Sequence, residues 1–263
     1  MCRLLGIRAN RPVDIKFSLS NFQRFAEENP DGYGIGWYEN DEPKVFREPI
    51  CALDSEHFLR IGREVRSHIF ICHVRRGTCG ERREENCHPF QYRRWLFAHN
   101  GSVYKKDVLH GRLRAEHQNA ISGETDSEVY FHWILQNIED CGNDVVRGIC
   151  AAIEFIYHRC CFTGLNFLLS DGKNLYAFRY ASHDSSYYSL YYLQRDPKDW
   201  PSGAINLESK ELGTLIQSKK LKDERAVLVC SECLTKEEDW RSIDLGNLLI
   251  ISESLEIKQK RLI

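Results

Sequence analysis

At 263 residues, with 36 Lys and Arg against 38 Asp and Glu, the chain carries a formal charge of −2. It has no basic excess of the kind that marks a nucleic-acid binder, and its 42% hydrophobic and 28% charged residues suit a water-facing globule with a sizeable core. No stretch approaches the ~18 consecutive apolar residues of a membrane helix, and the N-terminus lacks a signal peptide's apolar segment, so a cytoplasmic protein with no membrane partner is expected.

In chain order, Leu4–Ile7, Gly34–Tyr38, Ile69–Val74 and Trp95–Ala98 are short apolar runs that predict buried strands. Leu19–Glu28 has the spacing of an amphipathic helix. Thr125-x-x-Glu128 is a capping-box pattern. Val129, Tyr130, Trp133, Ile134 and Ile138 follow at helical spacing, so a helix is expected there with Asp126 in its first turn. Val145–Tyr157 predicts a further helix. Phe167–Ser170 and Leu175–Tyr180 flank Asp171-Gly172-Lys173-Asn174, a strong hairpin signal. Ala226–Cys230 and Leu248–Ile251 read as closing strands. No repeat or low-complexity linker divides the chain, so residues 1–263 are expected to form a single domain. Many strands with interspersed helices predict an α+β fold.

Eleven cysteines could form a disulfide framework, but a chain of this length and apolar content does not need one. Most are expected to be reduced, buried thiols. Cys230-x-x-Cys233 lacks the second CxxC of a zinc ribbon. Cys72, Cys79, Cys87 and His88 match no familiar ligand spacing. No metal site and no cofactor are expected.

One cysteine stands apart by position. Removal of Met1 would make Cys2 the N-terminus and put a thiol and a free α-amine on one residue. The amine titrates near ~7.7–8.0 and the thiol near ~8.5, so the amine can take the thiol proton and later hand it to a leaving group. The alternative is a small buried hydrophobe after the initiator. A thiolate attack on an amide builds an oxyanion that needs preorganised donors. Asn100-Gly101 supplies a side-chain amide and a backbone that can be approached closely; an ordinary Asn-Gly turn is the other reading.

Three further motifs complete the pattern: His73-Val74-Arg75-Arg76-Gly77-Thr78, Phe97-Ala98-His99-Asn100-Gly101 and Ser122-Gly123-Glu124-Thr125-Asp126-Ser127-Glu128. With the Cys2 start and Asp31-Gly32-Tyr33-Gly34-Ile35-Gly36-Trp37, the chain resembles the class II glutamine amidotransferases, which are Ntn (N-terminal nucleophile) hydrolases. Within them it resembles the stand-alone, short-chain branch, from Cys-Arg-Leu-Leu-Gly to Ser231-Glu232-Cys233-Leu234-Thr235. The resemblance implies a four-layer αββα sandwich, with Cys2 as nucleophile and with Asn100 Nδ2 and the Gly101 N–H as oxyanion hole. It implies that Arg75 binds the substrate's α-carboxylate, assisted by Thr78, and that Asp126 binds the α-ammonium. Glu124 and Glu128 are the nearby alternatives if the loop is shifted. Asp126 has a compatible simpler role as negative charge at a helix N-terminus. His88 and Gly34 fall in a second shell, where glycines 32, 34 and 36 would let backbone pass close to Cys2. His73 and His99 are expected to be scaffold. Cys79 stands where many members have His.

The resemblance implies cleavage of the γ-amide of glutamine or of a γ-glutamyl compound through a γ-glutamyl thioester. The small-molecule substrate is thus glutamine, with ammonia passed to a separate synthase, or a γ-glutamyl peptide in thiol metabolism, with or without a peptidase partner protein. A catalytically retired regulatory protein on the same fold is the non-enzyme alternative.

Overall fold

Successive side chains on the first strand point to opposite faces, and both faces are apolar. Leu4 packs between two sheets, whereas Leu5, Ile7 and Ala9 pack under helices. The same alternation recurs on the fourth strand, where Ile69 and Ile71 face the other sheet while Phe70, Cys72 and Val74 face helices. Strands buried on both sides read as continuous apolar runs rather than alternating ones, which is why these segments are legible in the sequence.

The computed structural model describes residues 2–196 and 224–263, together with the backbone of two short strands between them. In order these are β1 (Arg3–Val13), α1 (Lys16–Gln23), β2 (Tyr33–Glu39), β3 (Glu42–Glu48), α2 (Glu56–Glu64), β4 (Ser67–Val74), β5 (Phe90–Tyr92) and β6 (Trp95–Asn100). Then come α3 (Lys106–His110), α4 (Ala115–Ala120), α5 (Asp126–Asp140), α6 (Val145–Arg159), β7 (Asn166–Ser170) and β8 (Leu175–Arg179). The chain continues with β9 (Tyr191–Arg195), β10 (Leu207–Ser209), β11 (Thr214–Ile216), β12 (Ala226–Cys230), β13 (Arg241–Ser242), β14 (Asn247–Ile251) and β15 (Ile257–Arg261).

Two large antiparallel sheets result, ordered β13-β9-β12-β1-β4-β2-β3 and β15-β14-β8-β7-β6-β5, while β10 and β11 pair only with each other. Leu4, Ile69, Ile71, Leu96, Ala98, Leu168, Val229 and Leu249 fill the layer between them. Leu19, Phe22 and Phe58 of α1 and α2 cover the outer face of the first sheet. Tyr130, Phe131 and Ile134 of α5 and Ile149 and Ile153 of α6 cover the second. The order of layers is helix, sheet, sheet, helix, the αββα sandwich that the resemblance implies. Among the described residues no helix is long and apolar enough to cross a membrane.

The Asp171–Asn174 hairpin forms between β7 and β8, with Asp171 Oδ1 accepting from Lys173 N (2.9 Å) and Asn174 N (2.7 Å). The helix expected over Leu19–Glu28 instead begins at Lys16 and tightens to a 3₁₀ turn at Arg24–Ala26. The strand expected over Trp95–Ala98 runs on to Asn100. All eleven cysteines are free, but only Cys72, Cys87 and Cys230 are buried, because the others sit on half-exposed loops, helix faces and element ends. Among the described residues no three His, Cys, Asp or Glu side chains are placed to share a metal ion.

Candidate active site

Cys2 sits just before β1, whose ladder with β4 opens at Arg3↔Val74. Its neighbours are tied to the segment after β12. Leu4 N donates to Ser231 Oγ (2.9 Å), Ser231 N donates to Leu4 O (3.0 Å), and Arg3 pairs with Glu232 at 2.5 Å. The Cys2 sulfur lies against one peptide unit: Arg76 N–H donates to Sγ at 3.3 Å, and the thiol points to Arg76 O at 3.4 Å. Burial pushes the thiol above its ordinary value, opposed by the Arg76 N–H, the positive amino terminus and the Arg75 guanidinium. A thiol held neutral in this way needs a base to become a nucleophile.

The Arg75–Gly77 backbone that cradles the sulfur is itself clamped by the glycine-rich segment. Asp31 N donates to Arg75 O (2.9 Å), Arg75 N to Gly32 O (2.7 Å), and Gly77 N to Asp31 Oδ2 (2.8 Å). The expectation that glycines 32, 34 and 36 pass close to Cys2 is corrected here. A Cβ on Gly34 would lie 2.2 Å from His88 O, one on Gly36 2.8 Å from the Pro89 ring, and one on Gly32 2.5 Å from Cys87 Sγ. The glycines admit the Cys87–Pro89 strap over β2, and their effect on Cys2 runs through Asp31 and Arg75.

β6 delivers the second group. Leu96 and Ala98 face the layer between the sheets, so Asn100, two residues on, shares their side of the strand, as Cys2 shares that of Leu4. Asn100 pairs with Asn166 in the β6–β7 ladder, which removes the plain-turn reading of Asn100-Gly101. Asn100 is 1% exposed, and its Oδ1 has no hydrogen-bond partner among the described residues. Gly101 has φ +152°, and a Cβ there would lie 1.9 Å from Gly164 O. His99 supports this bend from the helix side. Its Nε2 donates to Gly164 O (3.1 Å), which fixes Nδ1 as the acceptor facing Ser127 Oγ (2.9 Å). Burial lowers the His99 pKa, consistent with a neutral scaffold imidazole.

α5 presents Asp126 in its first turn, under the Thr125 cap, whose side chain accepts from Glu128 N at 3.2 Å. Asp126 Oδ2 accepts from Val103 N at 2.6 Å. Glu128 is fully engaged elsewhere: Oε1 accepts from Ser122 N (3.0 Å) and Oε2 from Gly123 N (2.7 Å). Glu124 Oε2 accepts from Glu81 N and Asn86 Nδ2, both at 3.1 Å. Of the three acids, Asp126 alone lines the cavity described next. Thr78 Oγ1 meets Ser102 Oγ at 3.2 Å and joins the Arg75 loop to the Asn100 loop.

Cys2, Thr78, Asn100, Gly101 and Asp126 line one cavity of about 460 Å³. Arg75, His88 and Gly34 do not. Arg75 is 3% exposed, and its guanidinium is held behind the wall by the carbonyls of Cys79 (2.8 Å), Gly80 (3.0 Å) and Asp31 (3.5 Å). His88 stacks on His73 with ring centroids 4.2 Å apart. Neither ring has a hydrogen-bond partner among the described residues. Burial drops the His73 pKa to about 3 and that of His88 well below its ordinary value. Beyond Cys79, sequence reasoning missed the rest of the lining: Arg76, the Ser102–Lys106 segment, Thr163 and Tyr188. Ser102–Lys106 directly follows the Asn100-Gly101 motif and could have been included on that ground, whereas nothing near Thr163 or Tyr188 in the sequence points to Cys2.

Two packed antiparallel sheets between helices, with Cys2 and Asn100 at one end of the inner layer, define an Ntn-hydrolase fold. The glutamine phosphoribosylpyrophosphate amidotransferase of B. subtilis has the same fold, with a TM-score of 0.65 at 17% identity over 100% of this chain and 49% of that one. The model of the class II glutamine amidotransferases matches residues 1–260, and the chain belongs to that family. Across 95% of its length it is 31% identical to an uncharacterized protein of Methanocaldococcus jannaschii, of which it covers 69%. It is 30% identical over 94% of its length to 95% of YafJ of Escherichia coli, provisionally named a glutamine amidotransferase. A shorter stretch, 28% of this chain, is 34% identical to 33% of the gamma-glutamyl-hercynylcysteine sulfoxide hydrolase of Mycobacterium tuberculosis.

Proposed function

We propose that the protein is an N-terminal-cysteine amidohydrolase that cleaves the γ-amide of glutamine or of a γ-glutamyl compound. With Met1 removed, the α-amine of Cys2 takes the thiol proton and the thiolate attacks the γ-carbonyl carbon. The oxyanion is held by the Asn100 side-chain amide and the Gly101 N–H. The C–N bond breaks, the α-ammonium returns the proton to the departing amine, and a γ-glutamyl thioester remains. Water, deprotonated by the same α-amine, attacks the thioester; glutamate leaves and the thiol is regenerated. Asp126 takes the substrate's α-ammonium. Arg75, whose fork now rests on neutral backbone carbonyls, takes the α-carboxylate, the stronger acceptor for a guanidinium. No step calls for a metal or a cofactor.

The observation that carries this reading is the convergence of Cys2, Asn100, Gly101 and Asp126, from three separate parts of the chain, on one cavity. A γ-glutamyl compound, rather than glutamine alone, is favoured by the likeness to the hercynylcysteine sulfoxide hydrolase. In this reading residues 1–263 act as one catalytic unit, and the free cysteines suit a reducing, cytoplasmic setting. If glutamine is the substrate, the released ammonia goes to a separate partner protein. The test is a panel of glutamine, γ-glutamylcysteine, glutathione and simple γ-glutamyl amides, with Cys2→Ala as control. Glutamate release that vanishes in folded Cys2→Ala is expected; release that persists would contradict Cys2 as nucleophile, and release from no panel compound would contradict the reading and favour a retired regulatory protein.

A further inference from the structure

The cavity lining contains two chemically different groups of residues. Asp126 supplies the carboxylate for the substrate's α-ammonium, and the carbonyl of Glu124, two residues before it, accepts from both Lys106 Nζ and Cys79 Sγ (3.5 Å). The second group is Tyr104, Lys105, Thr163 and Tyr188. Thr163 Oγ1 accepts from Ser102 N (3.0 Å), and Tyr104 N donates to Cys161 O (2.8 Å). Tyr188 packs so tightly on the 163–164 turn that a Cβ on Gly164 would lie 2.3 Å from its ring. Lys105 is exposed, with its backbone in the left-handed region at φ +60°. Among the described residues no carboxylate pairs with it, and among them Asp126 is the only acidic side chain lining the cavity.

Ammonia, the leaving group from glutamine, has no use for two tyrosine rings and a free ammonium. A cavity of about 460 Å³ is also large for one free amino acid, lying within the ~300–1,000 Å³ that drug-sized ligands take. A departing amine that is itself an amino acid or peptide would extend past Cys2 along the tyrosines and bring its own carboxylate to Lys105. We propose that Tyr104, Lys105, Thr163 and Tyr188 form a leaving-group subsite that selects γ-glutamyl amino acids and peptides over glutamine. Lys105 supplies the charge that reads the leaving carboxylate. The chemistry at Cys2 is unchanged: the same C–N bond breaks, and the amine departs with the proton returned by the α-ammonium.

This inference rests on the amidohydrolase reading, and the experiment separates the two. The full chain, with its mature N-terminus verified, is assayed on γ-glutamylglycine and γ-glutamylglycinamide, which differ only in the leaving-group carboxylate. The wild-type protein should prefer γ-glutamylglycine in kcat/KM by about tenfold, the worth of one charge-assisted contact. Lys105→Gln, at an exposed position that leaves the core intact, should collapse that ratio, and Lys105→Arg should restore most of it. A wild-type ratio near one, or a ratio that Lys105→Gln leaves in place, overturns the subsite while the amidohydrolase stands. A folded wild-type protein that releases glutamate from neither compound nor from glutamine overturns both.

Discussion

Replacing Asn100 with alanine separates catalysis from stability in a way the structure makes quantitative. If its amide donates to the oxyanion, the loss is felt only as that charge develops, so kcat should fall by ~10²–10³ while KM changes little, equivalent to ~3–4 kcal/mol. The stability side is unusual for a residue only 1% exposed. Asn100 Oδ1 is buried without a partner, and an unsatisfied buried acceptor costs ~1–3 kcal/mol in the native state. Truncation removes that penalty while leaving a small polar hole, and the two largely offset each other. The Asn100↔Asn166 backbone pairing does not depend on the side chain. A melting temperature within a few degrees of wild type is therefore expected beside a hundredfold or greater loss of kcat. Steady-state kinetics and thermal melting on the same preparation provide the assay. A variant with wild-type kcat, whatever its melting temperature, would leave the oxyanion without its side-chain donor and refute the assignment.

Gly101→Ala should destabilise by more than ~2 kcal/mol, because its Cβ would meet the Gly164 backbone oxygen at 1.9 Å and φ is +152°; an unchanged urea midpoint would contradict the geometry. The buried His73 and His88 imidazoles should make the fold acid-sensitive. Their folded pKa values lie below the ordinary 6.5, so the stability they confer is full above pH 6.5 and is lost as pH falls, for His73 toward about 3. His73 alone withdraws about 2 kcal/mol at pH 5, and a urea midpoint that stays flat between pH 7.5 and pH 5 would argue against neutral burial. Asp126→Asn should raise KM for γ-glutamyl substrates several-fold with a modest loss of kcat, since an amide can still accept from Val103 N but no longer matches an ammonium. Unchanged kcat/KM would place the head group elsewhere.

The interior strands were legible because both of their faces are apolar: β4, β6, β8 and β12 lie in the middle of their sheets and read as short hydrophobic runs. The strands missed in the sequence are edge or polar ones. β3 reads Glu42-Pro43-Lys44-Val45-Phe46-Arg47-Glu48 and is half-exposed throughout, and β15 carries Lys258, Gln259, Lys260 and Arg261. An edge strand is kept polar so that it does not pair with another chain, and that removes its signal. α2 was missed although Phe58 and Ile61 form its buried face with Leu59 packed beside them, because three apolar side chains and a glycine among charged residues are too few to set a helical period. Within the site, Cys2, Asn100, Gly101 and Asp126 could be named because each lies in a compact motif. Arg75 could be named too, but not that its fork rests on the Cys79 and Gly80 carbonyls, since a guanidinium's partner is a tertiary fact. Tyr188 joins the cavity through packing on Gly164, more than a hundred and fifty residues from Cys2, and no local pattern records such an approach.

The central claim is that Cys2, as the mature N-terminal residue, carries the acyl group. Peptide mass spectrometry of the protein quenched in acid during turnover tests it most directly. The expected product is an N-terminal peptide that begins at Cys2, lacks Met1 and carries one γ-glutamyl acyl mass on Cys2. An active protein that retains Met1, or that bears the acyl group on any other residue, would contradict it.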